Sequence, residues 1–208
     1  MAAAILMLRG RMSWDVDETA LAAADLELAF AYLAQSSRED SVVKWADTQT
    51  GKAKEILFLV YYNNAKWSEA DALLNTMSFN ADLRRGMLVW FLKRRLVGEA
   101  DATLWLAKNI HPEKISGGQD WESKIIGVML GKGELGSLND LSARVSKGDE
   151  GTGLMLFYLG TLQILEGDLE GGRAHLLRCV AETPGQSFES RTAKKELERV
   201  MHTIKQEK

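Results

Sequence analysis

Proline and cysteine are scarce in this chain. Its 208 residues include two prolines and a single cysteine, Cys179. One cysteine cannot form an internal disulfide, and this usage favours a reducing, cytoplasmic compartment. Two prolines in a chain of this length argue against disordered linkers and against a turn-rich β fold. We therefore expect a soluble protein with a sizeable core.

The apolar start of the chain does not have the order of a secretory signal. Arg9 and Arg11 follow this short apolar run, whereas a signal peptide has its basic residues first. No stretch reaches the roughly 18 apolar residues that span a bilayer. The formal net charge is only −3, so no strong field attracts nucleic acid or an anionic membrane. We expect neither of them as a partner.

The two prolines close the same pattern of residues. A small residue is followed four positions later by a large apolar one, three later by a second small residue, and five later by proline. Small residues let two helices approach closely, and proline ends a helix because it lacks an N–H group. The pattern predicts an all-α chain of antiparallel helix pairs, with about ten to eleven helices. The two copies are Ala100, Leu104, Ala107 and Pro112, and Gly172, Leu176, Cys179 and Pro184.

The second copy belongs to the clearest helix pair. Leu159-Gly160 lies in an apolar stretch, Gly167-Asp168 follows at the turn, and Pro184 closes the second helix. This pair resembles the tetratricopeptide repeat, which has Leu-Gly in its first helix, Gly-Asp at the turn and a closing proline. The resemblance implies helix pairs stacked as a right-handed superhelix, or α-solenoid.

Four earlier units can be aligned on the position of Gly160, although their spacing varies. We expect residues 1–208 to form a single repeat domain. Residues 1–14 would be a flexible or partly packed N-terminal segment. Residues 186–205 would form a capping helix, because Ser187 suits an N-cap, Met201 belongs to an apolar stripe and Glu196 to a charged face. The aligned positions are Ala29, Phe58, Leu88 and Ile126.

No pattern in the sequence predicts catalysis, a cofactor or a metal. The segment from Gly131 to Gly136 matches G-x-G-x-x-G, but a dinucleotide site needs a preceding strand, and a helical pattern precedes it here. The histidines His111, His175 and His202 are too far apart to suggest a zinc site. Cys179 occupies a small-residue position, which favours packing over a nucleophilic role.

The resemblance implies a function in binding another protein or peptide. Repeat arrays of this kind present a concave surface, which the first helix of each pair lines. On this basis we expect the partner to contact eight residues. They are Tyr62, Asn63, Arg85, Val89, Lys93, Phe157, Thr161 and Ile164.

A basic cluster on one helix, which includes Arg85 and Lys93, has two interpretations. It favours an acidic segment in the partner, since the two residues lie eight apart and can face one groove. Alternatively, these side chains satisfy carbonyl groups and the dipole at a helix end. Both interpretations stay open at this point.

The leading hypothesis is a non-catalytic adaptor or chaperone-like scaffold. A second hypothesis is a helical enzyme whose site is assembled from dispersed residues. A third is a structural protein that self-associates as a homo-oligomer, for which the six tryptophans could supply interface area.

Overall fold

The computed structural model of this chain describes residues 2–15, 19–35, 40–77, 83–110, 121–144, 151–185 and 187–206. Within these ranges the chain is all-helical and has no strand, which confirms the predicted all-α class and number of helices, whereas the stacking as a superhelix stays a prediction. The helices are α1 (Ala2–Asp15), α2 (Thr19–Gln35), α3 (Asp40–Asn63), α4 (Trp67–Leu74), α5 (Leu83–Val97), α6 (Glu99–Asn109), α7 (Trp121–Met129), α8 (Gly136–Arg144), α9 (Thr152–Leu165), α10 (Leu169–Glu182) and α11 (Phe188–Gln206).

The helices group into two compact units, Met1–Phe79 and Asn80–Lys208. In the first unit α1 packs on α2, and α3 contacts α1, α2 and α4. In the second unit α5 packs on α6 and α9 on α10, while α5, α7 and α9 contact one another. The single continuous repeat domain expected from the sequence stays a prediction. The predictions made for His111 and Pro112 concern positions outside the described residues.

Three helices, α3, α7 and α9, end in the same backbone motif. Each is followed by a residue with a positive φ, namely Ala65 (57°), Gly131 (69°) or Gly167 (91°). The next N–H group then reaches back to the carbonyl five residues earlier, as in a Schellman motif. These bonds join Lys66 to Tyr61 at 2.9 Å, Lys132 to Gly127 at 2.8 Å and Asp168 to Gln163 at 2.9 Å.

A repeat is visible in the second helix of each pair, and its register is the predicted one except in α6. A pair of buried residues four positions apart recurs in α4, α6, α8 and α10. Successive pairs lie 32, 36 and 34 residues apart along the chain. A spacing near 34 is typical of the tetratricopeptide family. The pairs are Ala70/Leu74, Ala102/Leu106, Leu138/Ser142 and Gly172/Leu176.

The sequence alignment was therefore wrong by two residues in α6. Leu104, predicted to fill the gap between helices, is 70% exposed, whereas Leu106 is buried. The predicted small residues Ala100 and Ala107 are exposed as well. The cause is the start of the helix. Gly98 is the N-cap of α6 and directly follows α5, so this connection is shorter than the one between α9 and α10.

The contact between α9 and α10 confirms the predicted roles of Gly160 and Gly172. A Cβ atom at Gly172 would lie 2.7 Å from the carbonyl oxygen of Gly160 and 3.0 Å from the amide nitrogen of Ile164. Both obstacles are backbone atoms, which cannot move aside as a side chain can. The two helices can approach this closely only because glycine occupies both positions.

Gly172→Ala should lower the free energy of unfolding by about 1–3 kcal/mol, since α9 and α10 must separate to admit the methyl group. Chemical denaturation measures this loss. Gly127→Ala is the matched control, because a Cβ atom there would meet nothing within 4 Å. The control should be neutral or slightly stabilising, as alanine favours helix over glycine. Equal stability of the two variants would contradict the close contact.

The last helix, α11, begins where the sequence predicts, but its buried face is more polar than expected. Ser187 is the N-cap, since its Oγ accepts a bond from the amide of Ser190 at 3.2 Å. Glu196, expected on the charged outer face, is only 1% exposed, and Met201, expected in the apolar stripe, is 40% exposed. A buried carboxylate needs charged partners, so this face is held by more than apolar packing.

Arginines on two helices neutralise Glu196. Its Oε2 lies 2.8 Å from a guanidinium nitrogen of Arg95 on α5, and its Oε1 lies 2.9 Å from one of Arg199 on α11. The side chain of Arg95 is itself only 12% exposed. The triad therefore links α5 to α11 inside the second unit.

Glu196→Ala should destabilise the chain by about 3 kcal/mol, because it leaves the Arg95 guanidinium buried without its counter-charge. Glu198→Ala is the control from the same helix. Its carboxylate is 65% exposed and pairs with Lys195, so its loss should change stability by less than about 1 kcal/mol. Thermal unfolding of both variants measures the difference. Similar melting temperatures would show that the triad contributes little.

Candidate functional site

A groove lies between α2 and α3 in the first unit. It encloses about 460 Å³, within the range of volumes that hold small ligands or side chains of a partner. Its wall consists of Ala20, Ala23 and Ala24 on α2 and Val60 on α3. The three alanines lie at helical spacing on one face. Because alanine side chains are small, the space between α2 and α3 stays open at these positions.

The rim of the groove is polar, and Tyr61 is at its centre. The phenol of Tyr61 donates a hydrogen bond to Glu27 Oε1 at 2.7 Å. Partial burial, and then the bond to the Glu27 carboxylate, raise the pKa of Tyr61 well above its usual value. The phenol therefore stays protonated and fixes the Glu27 side chain against the wall.

The motif that ends α3 brings a cation to the same rim. The bond from the Lys66 amide to the Tyr61 carbonyl folds the chain back over α3. As a result the Lys66 ammonium lies 5.6 Å from the centre of the Tyr61 ring, within range of a cation–π interaction. Asn64 completes the lining and donates from Nδ2 to the carbonyl of Val60 at 2.8 Å. The rim thus carries one negative and one positive side chain on either side of an aromatic ring.

Five of the eight residues predicted to contact a partner have buried side chains. Their side chains pack inside their own units in this structure, and a role in binding stays a prediction. In the first unit the groove is lined instead by Tyr61 and Asn64, the neighbours of the predicted pair. The five are Tyr62, Asn63, Val89, Phe157 and Thr161.

The remaining three predicted residues, Arg85, Lys93 and Ile164, are partly exposed. The Lys93 ammonium lies 6.0 Å from the centre of the Trp105 ring on α6. The rest of the basic cluster forms ion pairs within the second unit: Arg84 with Glu122 at 2.8 Å, Arg94 with Glu99 at 2.8 Å, and Arg95 with Glu196 at 2.8 Å. These pairs favour a structural role for those three arginines.

Cys179 is buried, as predicted. Its thiol donates to the carbonyl of Gly153 at 3.3 Å. Burial raises the pKa of the Cys179 thiol to about 11, so the nucleophilic thiolate is scarce at neutral pH. These observations confirm the packing role.

A hydrogen-bonded network around His175, which the sequence did not indicate, joins α8, α9 and α10. The Nδ1 atom of His175 lies 2.7 Å from Gln163 Oε1, and its Nε2 atom lies 2.8 Å from Ser142 Oγ. Gln163 in turn donates to Asp168 at 3.1 Å. Burial lowers the pKa of His175, so the imidazole is neutral at pH 7. Nδ1–H then donates a hydrogen bond to Gln163 Oε1, and Nε2 accepts a hydrogen bond from the Ser142 hydroxyl group.

This order of hydroxyl, imidazole and orienting group is the one that activates a nucleophile in hydrolases. Ser142, however, is only 5% exposed and lies within α8. A substrate cannot reach its hydroxyl unless that helix moves. We therefore interpret the network as a connection between three helices. Its partners come from positions 142, 163, 168 and 175, and no short motif in the sequence relates them.

Comparison with known proteins gives no match, either to a protein-family model or to a curated sequence. Among the described helices, none combines the length and apolar character needed to cross a bilayer. Within the same residues, no three histidine, cysteine or acidic side chains converge as metal ligands would. The lining and volume of the groove between α2 and α3 make it the candidate site.

The stability of the chain should fall between pH 7.5 and pH 5.5 because of His175. Its pKa is lowered from 6.5 in the folded state, so the unfolded chain takes up a proton first as the pH falls. The stabilisation is present above about pH 6.5 and declines as the pH drops through the lower folded pKa. Melting temperatures at the two pH values test this.

His175→Gln should reduce that pH dependence, whereas His202→Gln, at an exposed position of α11, should preserve it. An unchanged difference between the two pH values in His175→Gln would contradict the assignment.

Proposed function

We propose that this chain is a non-catalytic scaffold that binds a peptide segment of another protein in the groove between α2 and α3. The observation that carries the proposal is the groove itself, an open volume of about 460 Å³ with an apolar wall and a charged rim. A few polar groups around an apolar wall are typical of sites that combine affinity with orientation.

We also infer that the chain is a helical-repeat protein similar to the tetratricopeptide family. The support comes from the buried pairs that recur at 32, 36 and 34 residues in α4, α6, α8 and α10, and from the turn between α9 and α10. Asp168 caps α10 by accepting a bond from the amide of Gly171 at 3.0 Å. Stacked helix pairs leave extended surfaces, which suits a binding function. A cytoplasmic location stays an expectation.

The chemistry of the rim favours a segment with a carboxylate. Lys66 is exposed and lies at the edge of the groove, where it can pair with an acidic side chain. The alanine wall favours an apolar residue beside that acid, because the alanine methyl groups offer no hydrogen-bonding partner. The proposal keeps the acidic partner segment expected from the sequence. It assigns the contact with that segment to Lys66, where the sequence analysis assigned it to Arg85 and Lys93.

A displayed library of short random peptides tests the proposal on the intact chain. We expect enriched peptides to carry Asp or Glu next to an apolar residue. Ala24→Leu fills the groove and should abolish their binding. Ala31→Leu makes the same change at an exposed position of α2 and should preserve it. Lys66→Glu should weaken binding at least tenfold, since it reverses the charge that meets the acid. Fluorescence anisotropy of a labelled peptide measures each affinity.

The double variant Arg85→Glu, Lys93→Glu separates this site from the one predicted from the sequence. Binding that survives in this variant but fails in Ala24→Leu supports the groove. Binding that fails only in the double variant would move the site to α5. Circular dichroism confirms that each variant is folded.

A helical enzyme stays the second candidate, favoured by the order of Ser142, His175 and Gln163 alone. A fluorophosphonate probe decides between the two functions. Labelling that disappears in Ser142→Ala would establish a reactive serine. Absence of labelling agrees with the structural interpretation of the network.

A further inference from the structure

The rim of the groove between α2 and α3 carries charges of both signs that do not pair with each other. Glu27 accepts a hydrogen bond from the phenol of Tyr61 at 2.7 Å, whereas the Lys66 ammonium lies 5.6 Å from the centre of the same ring. In the described part of the chain no ion pair joins Glu27 to Lys66, and both side chains are exposed. Each of the two charges is therefore available to a ligand.

Tyr61 holds the Glu27 carboxylate ready to accept a second hydrogen bond. The phenol occupies Oε1 of Glu27, and a carboxylate has acceptor sites on both of its oxygens. Hydrogen bonds from a cation to a carboxylate are shorter and roughly twice as strong as neutral ones. Glu27 is thus suited to a lysine or arginine side chain of a ligand.

A further carboxylate, that of Glu69 on α4, acts on the same place. After burial and the contact with Glu27, the charge of Glu69 is a third cause of the raised pKa of Tyr61. Two carboxylates and one ammonium therefore surround this tyrosine, and their sum is negative. A segment that carried an acid alone would pair with Lys66 and be repelled by Glu27 and Glu69. A base in the same segment removes that conflict.

The neutral groups of the lining suit a peptide. Asn64 donates from Nδ2 to the carbonyl of Val60 at 2.8 Å, so its Oδ1 atom can accept an N–H group of a bound backbone. The alanines on α2 supply an apolar wall. The groove thus offers one acceptor for a backbone, an apolar wall, and one charge of each sign.

We propose that the groove recognises a dipolar segment, in which a basic side chain pairs with Glu27 and an acidic side chain pairs with Lys66. This inference rests on the proposed binding function and specifies its ligand, because that function by itself requires only an acid beside an apolar residue. A segment with two like charges is disfavoured, since one of them would meet a like charge on the rim.

An array of hexapeptides tests the inference on the intact chain. The peptides have a background of alanine and leucine and carry lysine and aspartate at every combination of positions, either residue alone, or two like charges. The best peptide with both charges should bind about tenfold more tightly than its aspartate-only derivative, since a hydrogen bond between charged groups contributes that much. Fluorescence anisotropy measures the affinities. The advantage should shrink as salt is added, because exposed charges are screened.

The array separates a failure of this inference from a failure of the proposed function. Aspartate-only peptides that bind as tightly as dipolar ones, and lose binding in Ala24→Leu, would overturn the dipolar segment and leave the groove as the binding site. Absence of binding throughout the array, or binding that Ala24→Leu does not weaken, would overturn both.

Glu27→Gln removes one charge and keeps an oxygen that can accept the Tyr61 hydroxyl. This variant should bind the dipolar peptide about tenfold more weakly and bind the aspartate-only peptide at least as tightly as the parent does. Asp101→Asn is the matched control, because it removes the same charge at an exposed position of α6, and it should change neither affinity. A preference for lysine that persists in Glu27→Gln would contradict the assignment.

Charge reversal supplies a test in which binding is gained. Glu27→Lys should transfer the preference to peptides with two acids, and Lys66→Glu should transfer it to peptides with two bases. Misfolding cannot produce a gain of binding, so a switch in either variant supports the proposal. If both variants keep the helical circular dichroism of the parent and neither changes its preference, the proposal is wrong.

Discussion

The backbone motif that ends α3, α7 and α9 is the constraint that sets the turn in three of the four helix pairs, the exception being α5 and α6. A residue with positive φ turns the chain, and the bond to the carbonyl five residues back fixes where the next helix begins. After α3 and α9 the small buried residue then lies four positions beyond the residue whose amide makes this bond, as Ala70 does after Lys66 and Gly172 after Asp168. The same turn folds Lys66 over Tyr61 and so builds the rim of the groove. Local geometry, helix packing and the candidate site thus have one common origin.

The all-helical fold could be predicted because its signals are local. The Gly-Asp turn and the two small residues of the α9/α10 pair lie within a short stretch, and Gly160 and Gly172 meet as expected. The register of α6 could not be predicted by counting back from Pro112. Helix packing is set by where a helix starts, and α6 starts at once after Gly98. Ala102 and Leu106, rather than Ala100 and Leu104, therefore face α5.

The groove is lined by residues one position away from the predicted Tyr62 and Asn63, and on a helix one position is a rotation of about 100°. The segment from Tyr61 to Asn64 holds two tyrosines followed by two asparagines. Either tyrosine could face the core, because the two side chains have the same apolar content. Only the packing of α3 against α2 decides that Tyr62 is buried and Tyr61 is at the groove. The contacts of His175 were hidden for a different reason, since they come from three helices.

Ala65 occupies the turn position that glycine holds after α7 and α9, and this difference affects the groove. A left-handed alanine costs roughly 1–2 kcal/mol in the folded chain, but alanine samples fewer backbone conformations than glycine. The turn that carries Lys66 is accordingly stiffer than one built on glycine. An ammonium group held in place in advance loses less entropy when it pairs with a ligand. At the proposed binding site, local strain next to the groove would thereby raise the affinity for the peptide.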